Sequence, residues 1–140
     1  MLRLNGIWTR YGPIDVLKGI DLEVNKGELV CLLGGNACGK TTTMKTIIGL
    51  VKPYRGEIEF DGLDIARSQP SRIVKAGISP VLEGRRIFPY LTVHENLLMG
   101  AYTRRDSEAV QKDVDEILNQ FPVLHERRTG SGFQIGRAHV

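Results

Sequence analysis

The sequence has little cysteine and no long apolar run. Its two cysteines, Cys31 and Cys38, are too few for a disulfide framework, so we expect a reducing compartment, with the cytoplasm as the default. No apolar stretch is long enough to cross a bilayer, and the opening residues read as the start of a strand rather than as a signal peptide. A disulfide-stapled secreted domain and a membrane-spanning segment are therefore not expected.

The sequence also lacks a block of like charges. Its 19 basic and 16 acidic residues give a net charge of +3 at pH 7, which does not argue for nucleic acid and is compatible with an anionic or membrane-proximal partner. Apolar residues make up 41% and charged residues 25%, as in an ordinary soluble globular protein. A chain of 140 residues forms one domain with a sizeable core, or is part of a larger one.

A glycine-rich loop at residues 34–42, GGNACGKTT, fits the phosphate-binding pattern G-x-x-x-x-G-K-[ST]. Before it, the continuous apolar run Leu29–Leu33 predicts a strand buried on both faces. After it, apolar residues from Met44 to Val51 recur at helical spacing, which predicts a helix that begins within the motif. This order of strand, loop and helix is the context in which the pattern binds phosphate, and the alternative is a chance match in a glycine-rich chain.

The chemistry of phosphate explains the residue types in this loop. Free N–H groups at a helix N-terminus bind anions, and glycine tolerates the backbone conformations and close approaches that a bound phosphate requires. The pattern assigns Lys40 to the β- and γ-phosphates and the Thr41 hydroxyl to Mg²⁺. We predict a nucleotide site formed by Gly34, Asn36, Ala37, Cys38, Gly39, Lys40, Thr41 and Thr42.

Strand patterns lie on both sides of the loop. Alternating apolar residues predict strands over 2–11, with a bulge near Gly6, and over 20–24. A short strand over 56–60 is predicted to turn at Asp61-Gly62 into a hairpin. Ser68 is predicted to cap a short helix that ends near Gly77, and residues 78–82 are predicted to form another apolar strand. Two or three antiparallel strands therefore precede the nucleotide-binding core.

This arrangement resembles the start of an ABC-transporter ATPase domain. The matching residues are Tyr11-Gly12, the run from Val16 to Leu22, Gly27-Glu28 and the phosphate loop. The resemblance implies an α/β P-loop NTPase core of the ABC type, with an N-terminal antiparallel β subdomain and the start of a helical subdomain. It also implies that ATP is the nucleotide, that Tyr11 stacks on adenine and that Val16 is a nucleotide-binding residue. From the residues alone, Tyr11 is a half-buried strand residue.

The segment EGRRIFPYLTV at residues 83–93 restricts the resemblance to one group within this family. It is similar to the glutamine-loop segment of the ATPase subunits of branched-chain amino acid importers, with Glu in place of Gln. The resemblance implies that Glu83 senses Mg²⁺ and the attacking water, as a metal-site and catalytic residue. From the residues alone, Glu83 is a solvated loop glutamate. Arg85 and Arg86 are either surface charges or contacts to a membrane permease.

Two amphipathic helices follow this segment. Thr92-Val93-His94-Glu95 reads as a capping box that begins the first helix. A second helix is predicted from apolar residues on one face, namely Val110, Val114, Ile117, Leu118 and Phe121. The resemblance implies a core over residues 1–90 and a partial helical subdomain over 91–128 that docks on the permease. Ordinary core packing accounts equally well for these apolar positions.

The resemblance extends to about residue 128. The family continues to a Leu-Ser-Gly-Gly-Gln-type signature, a strand ending Asp-Glu and a switch histidine, none of which occurs in these residues. We therefore expect a truncated, N-terminal fragment that binds ATP without efficient hydrolysis. Residues 129–140 are a tail outside the family pattern. Its end, Ile135–Val140, matches the translation of a widely used sequencing adapter, so we interpret it as read-through; the alternative is a deleted signature region.

Two residues depart from the family pattern. Ala37 stands where the family has glycine, so we expect this backbone position to keep a negative φ. In the family a proline comes directly before this acidic or amide residue, at the position of Leu82. Here the proline is Pro80, which lies farther from Glu83 along the chain. A shifted proline is expected to re-aim Glu83.

The leading hypothesis for function is the ATP-binding subunit of a branched-chain amino acid importer. The implied partners are permease subunits, a second ATPase subunit in a homodimer or heterodimer and, indirectly, a solute-binding protein. The implied location is the cytoplasmic face of the cell membrane, and no nucleic acid is expected. The alternatives are the ATPase subunit of another ABC importer, a soluble ABC protein of DNA repair or translation, and a nucleotide-binding module that does not hydrolyse ATP.

Overall fold

The computed structural model describes residues 1–84 and 86–135. These residues form two compact units, one over Met1–Pro80 and one that begins at Val81. Two parts of the sequence-based predictions lie outside the described residues: the assignment of Arg85, and most of the predicted adapter-derived end, residues 136–140.

The first unit is built on a four-stranded antiparallel sheet. Its strands are β1 (Leu2–Tyr11), β2 (Ile14–Val24), β3 (Arg55–Phe60) and β4 (Leu63–Asp64). They lie side by side in the order β2-β1-β3-β4, and every pairing is antiparallel. The predicted antiparallel subdomain is therefore confirmed. β2 is longer than predicted, because its pairing with β1 extends to the Gly12-Pro13 turn.

The core of this unit lies against the central strand β1. Leu4, Ile7 and Thr9 are buried, and the change of phase between the first two coincides with a register shift around Gly6. The predicted bulge is therefore confirmed. The buried apolar cluster draws on the sheet and on both helices of the unit and comprises Leu4, Ile7, Leu17, Ile47, Ile58, Ile65, Ala66 and Ile73.

The hairpin between β3 and β4 turns at Asp61-Gly62, as predicted. Both residues have positive φ, 46° and 81°, and Phe60 pairs with Leu63 across the turn. Two positive φ angles match the right-handed twist of the flanking strands in a two-residue turn.

The apolar run Leu29–Leu33 does not form the predicted buried strand. Its residues have no regular secondary structure, and both Leu29 and Leu33 are 90% exposed. Cys31, expected inside that strand, is exposed as well. The physical reason is that all strands of the described ranges belong to the antiparallel sheet, so this segment has no neighbour to pair with. The predicted strand over 78–82 is absent for the same reason, and Val81 there is fully exposed.

The helix α1 (Lys40–Ile47) begins within the phosphate-binding motif, as predicted, but ends earlier than the apolar spacing suggested. Gly49, at φ 75°, donates its N–H to the Thr46 carbonyl, and the N–H of Leu50 reaches the Lys45 carbonyl. This pair of bonds is a Schellman motif, which ends the helix before Val51 and leaves Met44 half exposed. The helix α2 (Pro70–Ala76) ends at Gly77 as predicted, but Gln69 rather than Ser68 is its N-cap.

The second unit contains four helices in the described residues: α3 (Val93–Gly100), α4 (Ser107–Gln120), α5 (Pro122–Glu126) and α6 (Gly132–Ile135). The predicted capping box is confirmed, because the N–H of Glu95 reaches the Thr92 hydroxyl at 3.2 Å and the Thr92 N–H reaches the Glu95 carboxylate at 2.7 Å. Val114 and Leu118 are buried as predicted. Phe121 is exposed, because α4 ends before Pro122 opens α5.

No helix within residues 1–84 and 86–135 is both long and apolar enough to cross a membrane.

Candidate nucleotide-binding site

The N-terminus of α1 offers unpaired backbone donors. Thr43 makes the first bond of the helix, from its N–H to the Gly39 carbonyl at 2.8 Å. The N–H groups of Lys40, Thr41 and Thr42 precede that bond and have no partner among the described residues. The first turn carries no acidic side chain and no side-chain cap. The positive end of the helix is therefore free to bind an anion.

Gly39 lets this helix start close to the strand β2. Its φ is 94°, in the left-handed region, and a Cβ added there would lie 2.8 Å from Leu17 Cδ2 and 3.7 Å from the Val16 carbonyl oxygen. A Cβ there would require the Leu17 methyl group to shift, and the left-handed φ itself favours glycine. The packing brings Val16, a predicted nucleotide-binding residue, to the loop.

Lys40 lies across the loop. Its ammonium group donates to the Gly34 carbonyl at 2.7 Å and to the Gly35 carbonyl at 2.6 Å, and it lies 3.4 Å from Cys38 Sγ. One positive charge is thus held beside the unpaired donors of α1. Three of the predicted site residues, Lys40, Gly34 and Cys38, thus lie close together. Gly35 is a contact that the motif alone did not assign.

Three of the four threonines of α1, Thr42, Thr43 and Thr46, are buried, and Thr41 is exposed. Thr43 and Thr46 are buried, and their hydroxyls donate to the Gly39 and Thr42 carbonyls at 3.0 and 2.8 Å. The Thr41 hydroxyl is exposed and makes no hydrogen bond within the described residues. It is therefore available as an oxygen ligand, whereas the hydroxyls of Thr43 and Thr46 are committed to the helix backbone.

The loop itself is more strained than the sequence suggested. Ala37 has φ 63°, not the negative value expected for a residue with a Cβ. The loop adopts this conformation because the chain turns there toward α1, and the left-handed region costs a non-glycine residue about 1–2 kcal/mol. Gly34 is a further tight point, since an added Cβ would lie 2.6 Å from Cys38 Sγ. Asn36 lies exposed at the turn.

Tyr11 lies at the end of β1, where it pairs with Ile14 across the Gly12-Pro13 turn. Its side chain is 46% exposed, so a face of the ring is open to a ligand. Tyr11 and the phosphate loop belong to the same compact unit. Adenine stacking on this ring stays a prediction.

Glu83 belongs to the second unit, in a bend that is exposed to solvent. Its carbonyl accepts a hydrogen bond from Arg86 Nε at 3.2 Å. Its role as a metal- and water-sensing residue stays a prediction. No group of three or more His, Cys, Asp or Glu side chains in the described residues is arranged to hold a metal. Magnesium commonly takes one or two protein ligands and completes its shell with phosphate oxygens and water, which Thr41 and a nucleotide fit.

Two residues of this region were not found from the sequence as site residues. Gly35 supplies a carbonyl to Lys40, and Leu17 packs on Gly39 while being almost fully buried. Leu17 is out of phase with the alternation of Ile20, Leu22 and Val24, because the register shifts between the pairs Ile7↔Ile20 and Trp8↔Lys18, so the strand pattern did not indicate that it faces inward. The contact of Leu17 with the phosphate loop depends on the tertiary packing of α1 and has no signal in the sequence.

The family model described as "ABC transporter" matches residues 17–135. The chain belongs to the ABC-transporter family. The match includes the phosphate loop, Glu83 and all the described helices of the second unit.

Relatives of the chain are named as transport or import ATP-binding proteins. The chain is 39% identical, over 91% of its length and 54% of the relative's, to the high-affinity branched-chain amino acid transport ATP-binding protein BraG of Pseudomonas aeruginosa. It is 35% identical, over 86% of its length and 34% of the relative's, to the spermidine/putrescine import ATP-binding protein PotA of Mesoplasma florum. The chain thus spans about half of one relative and about a third of the other.

Solved ABC-transporter structures share the fold. A nucleotide-free ATP-binding cassette from an ABC transporter matches with a TM-score of 0.76 and 26% identity, over 96% of this chain and 58% of that one. An ATP-binding subunit of an ABC transporter matches with a TM-score of 0.74 and 29% identity, over 94% and 54%. The predicted ABC-type fold is therefore confirmed.

Proposed function

We propose that this chain binds MgATP at residues 34–42 and serves as the ATP-binding subunit of an ABC importer for branched-chain amino acids. The observation that carries the proposal is the N-terminus of α1. Three unpaired N–H groups, the Lys40 ammonium and the unbonded Thr41 hydroxyl meet there, with no competing carboxylate in the first turn. These are the groups that a metal-bound triphosphate requires.

Each group has a distinct part in binding. The N–H groups of Lys40, Thr41 and Thr42 donate to phosphate oxygens, and the Lys40 ammonium exchanges its two carbonyl partners for phosphate. The Thr41 hydroxyl ligates the metal, and the base lies against Tyr11 and Val16. When bound, Mg²⁺ neutralises part of the charge on the β- and γ-phosphates. Glu83, in the second unit, keeps as part of this proposal the Mg²⁺- and water-sensing role that the resemblance implies for it.

Calorimetric titration with ATP tests this proposal. The chain should bind ATP more tightly with Mg²⁺ than without it. Lys40→Ala should weaken binding at least about tenfold, because a charge-assisted hydrogen bond contributes about 1.5–3 kcal/mol. Lys45→Ala, which removes a lysine from the other end of the same helix, is the matched control and should leave affinity unchanged. Equal losses in the two variants would refute the assigned site.

The cargo is inferred from likeness. The segment EGRRIFPYLTV and the similarity to BraG support branched-chain amino acids. The corresponding partners are permease subunits, a second ATPase subunit and an indirectly coupled solute-binding protein, at the cytoplasmic face of the membrane. For the 140-residue polypeptide, binding is the activity to measure, since the resemblance ties efficient turnover to motifs that these residues do not contain.

A second cargo class, polyamines, has support of its own, because the chain is also 35% identical to the spermidine/putrescine import protein PotA. Tagged chain should be co-expressed with the membrane subunits of a branched-chain amino acid importer and, separately, of a polyamine importer. Retention by the first set alone supports the proposed cargo. Retention by the polyamine set alone would replace it.

A further inference from the structure

Tyr54 lies just before β3 and contacts both strands of the hairpin that carries Tyr11. Its hydroxyl donates to Asp15 Oδ1 at 3.1 Å, which reaches β2. Its ring lies under the Arg10 guanidinium, with Cζ 4.9 Å from the ring centroid, which reaches β1. Its N–H donates to the Trp8 carbonyl at 3.0 Å, and its ring centroid is 6.4 Å from that of Trp8. The residues Trp8, Arg10, Asp15 and Tyr54 are called the Tyr54 cluster below.

The hairpin tip needs such a brace. Between the pairs Thr9↔Leu17 and Arg10↔Asp15 the register shifts, so Val16 is an extra residue on β2. This bulge separates the last two pairs, including Tyr11↔Ile14, from the regular ladder. Tyr11 and Ile14 are 46% and 67% exposed, so core packing does not fix the tip. The Tyr54 cluster spans the bulge and holds both strands beyond it.

The brace is connected to the phosphate loop through the backbone. Leu50 and Val51, which follow α1, donate to the Lys45 carbonyl at 2.8 and 3.2 Å. Pro53, immediately before Tyr54, is buried. The chain between the loop helix and Tyr54 is therefore short and tied to the helix. The N-terminus of α1 and the Tyr11 tip belong to one unit, in which Gly39 packs directly on Leu17 of β2 and the chain that follows α1 carries Tyr54 to the hairpin.

We propose that Tyr54 is a positioning residue for base recognition, which holds the Tyr11 tip at the distance from the phosphate loop that an adenine nucleotide requires. The inference rests on the proposed function, because it takes Tyr11 as the base platform. Tyr54 acts through Arg10, Asp15 and Trp8 and does not touch the nucleotide. It governs the affinity for the base and not the affinity for phosphate. The pKa of Tyr54 is raised by desolvation and by the bond to Asp15, as expected of a hydroxyl that works as a donor.

The test compares a ligand that has a base with one that has none. MgATP and magnesium tripolyphosphate are titrated into the full chain and its variants. Tyr54→Ala should weaken ATP about tenfold, since base stacking on an aromatic ring contributes about 1–3 kcal/mol, and should change tripolyphosphate less than about twofold. Tyr54→Phe keeps the ring and loses only the bond to Asp15, so it should weaken ATP about threefold. Tyr90→Ala removes an almost fully exposed tyrosine of the second unit and should change neither ligand.

The outcomes separate the two proposals. Binding of neither ligand by the wild-type chain refutes the proposed function and this inference together. If ATP still binds more tightly than tripolyphosphate in both Tyr54 variants, the inference is overturned and the proposed function stands. Equal losses for both ligands also overturn it, because they indicate a structural role. If circular dichroism shows that Tyr54→Ala does not fold, the ratio of ATP affinity to tripolyphosphate affinity in Tyr54→Phe decides. Trp8, the only tryptophan, reports the cluster by its fluorescence.

Discussion

The antiparallel sheet and the segment Leu29–Leu33 are both rich in apolar residues, yet they differ completely in burial. In the sheet, Ile7 and Ile58 are fully buried, and each strand has a hydrogen-bonded neighbour. In the segment, Leu29 and Leu33 are 90% exposed, and no described strand pairs with it. Hairpin turns place β2 beside β1 and β4 beside β3, and β1 pairs with β3 across a longer connection. An apolar run becomes a strand only when the chain supplies its partner.

The largest expected effect comes from making the same substitution in both regions. Leu4→Ala, in the core, should lower the free energy of unfolding by about 3 kcal/mol because it leaves a cavity. Leu33→Ala should lower it by less than about 0.5 kcal/mol because the side chain is already in water. Urea unfolding followed by Trp8 fluorescence measures both. Similar losses in the two variants would show that Leu33 is packed, and would break the comparison.

The exposed segment should also drive self-association. An apolar strand without a partner offers its side chains and backbone to other copies of the chain. Replacing Leu29 and Leu33 together by lysine should raise the apparent dissociation constant of self-association at least about tenfold, since burial of one leucine contributes about 1.5–3 kcal/mol. Sedimentation velocity measures the change. Leu63→Lys, at another exposed leucine, is the matched control, and an equal effect there would rule out the segment as the cause.

The phosphate loop, which follows the exposed segment, should be stabilised by a glycine at position 37. Ala37→Gly should stabilise the first unit by about 1 kcal/mol, because glycine adopts φ 63° without strain. Ala76→Gly, in α2 where φ is negative, should destabilise it by up to about 1 kcal/mol. Thermal unfolding of the two variants gives the sign of each change. Destabilisation by both would mean that Ala37 is not strained.

The smallest effect is expected at the capping box of α3, where Thr92 and Glu95 are hydrogen-bond partners three residues apart. The N–H and hydroxyl of Thr92 donate to Glu95 and lower the pKa of Glu95 below its ordinary value of 4.5. Because the folded-state pKa is the lower one, this stabilisation is complete above about pH 4.5 and is lost as the pH falls through the folded-state pKa. Glu95→Gln should flatten that part of the acid unfolding curve, followed by far-UV circular dichroism. An unchanged curve would exclude the capping box as its source.

The sequence predicted those parts of the fold whose partners are close along the chain. The bulge at Gly6, the Asp61-Gly62 turn and the Thr92–Glu95 box each depend on neighbouring residues, and all three are confirmed. The strands over 29–33 and 78–82 were predicted from apolar character alone and are wrong, since apolar character does not say which strand lies alongside.

In the candidate site, too, the local features were predicted from the sequence and the long-range contacts were not. The motif identified the loop and its helix, and it assigned Lys40 to phosphate and Thr41 to Mg²⁺. In the structure the Lys40 ammonium donates to two carbonyls and the Thr41 hydroxyl is unbonded, and both assignments stay predictions. The backbone angle of Ala37 was predicted with the wrong sign, because turning the chain into α1 outweighs the cost of one Cβ. The contacts of Leu17 and Tyr54 were not predictable, because they depend on packing between elements far apart in sequence.

The central claim is that the free N–H groups at the start of α1 bind the phosphates of ATP. The most direct measurement is a ¹H–¹⁵N spectrum of the chain during titration with MgATP. The account predicts that the amide signals of Gly39, Lys40, Thr41 and Thr42 shift most, and that their exchange with solvent slows as the donors are occupied. Saturable shifts that leave these four amides unchanged and fall elsewhere in the chain would contradict it.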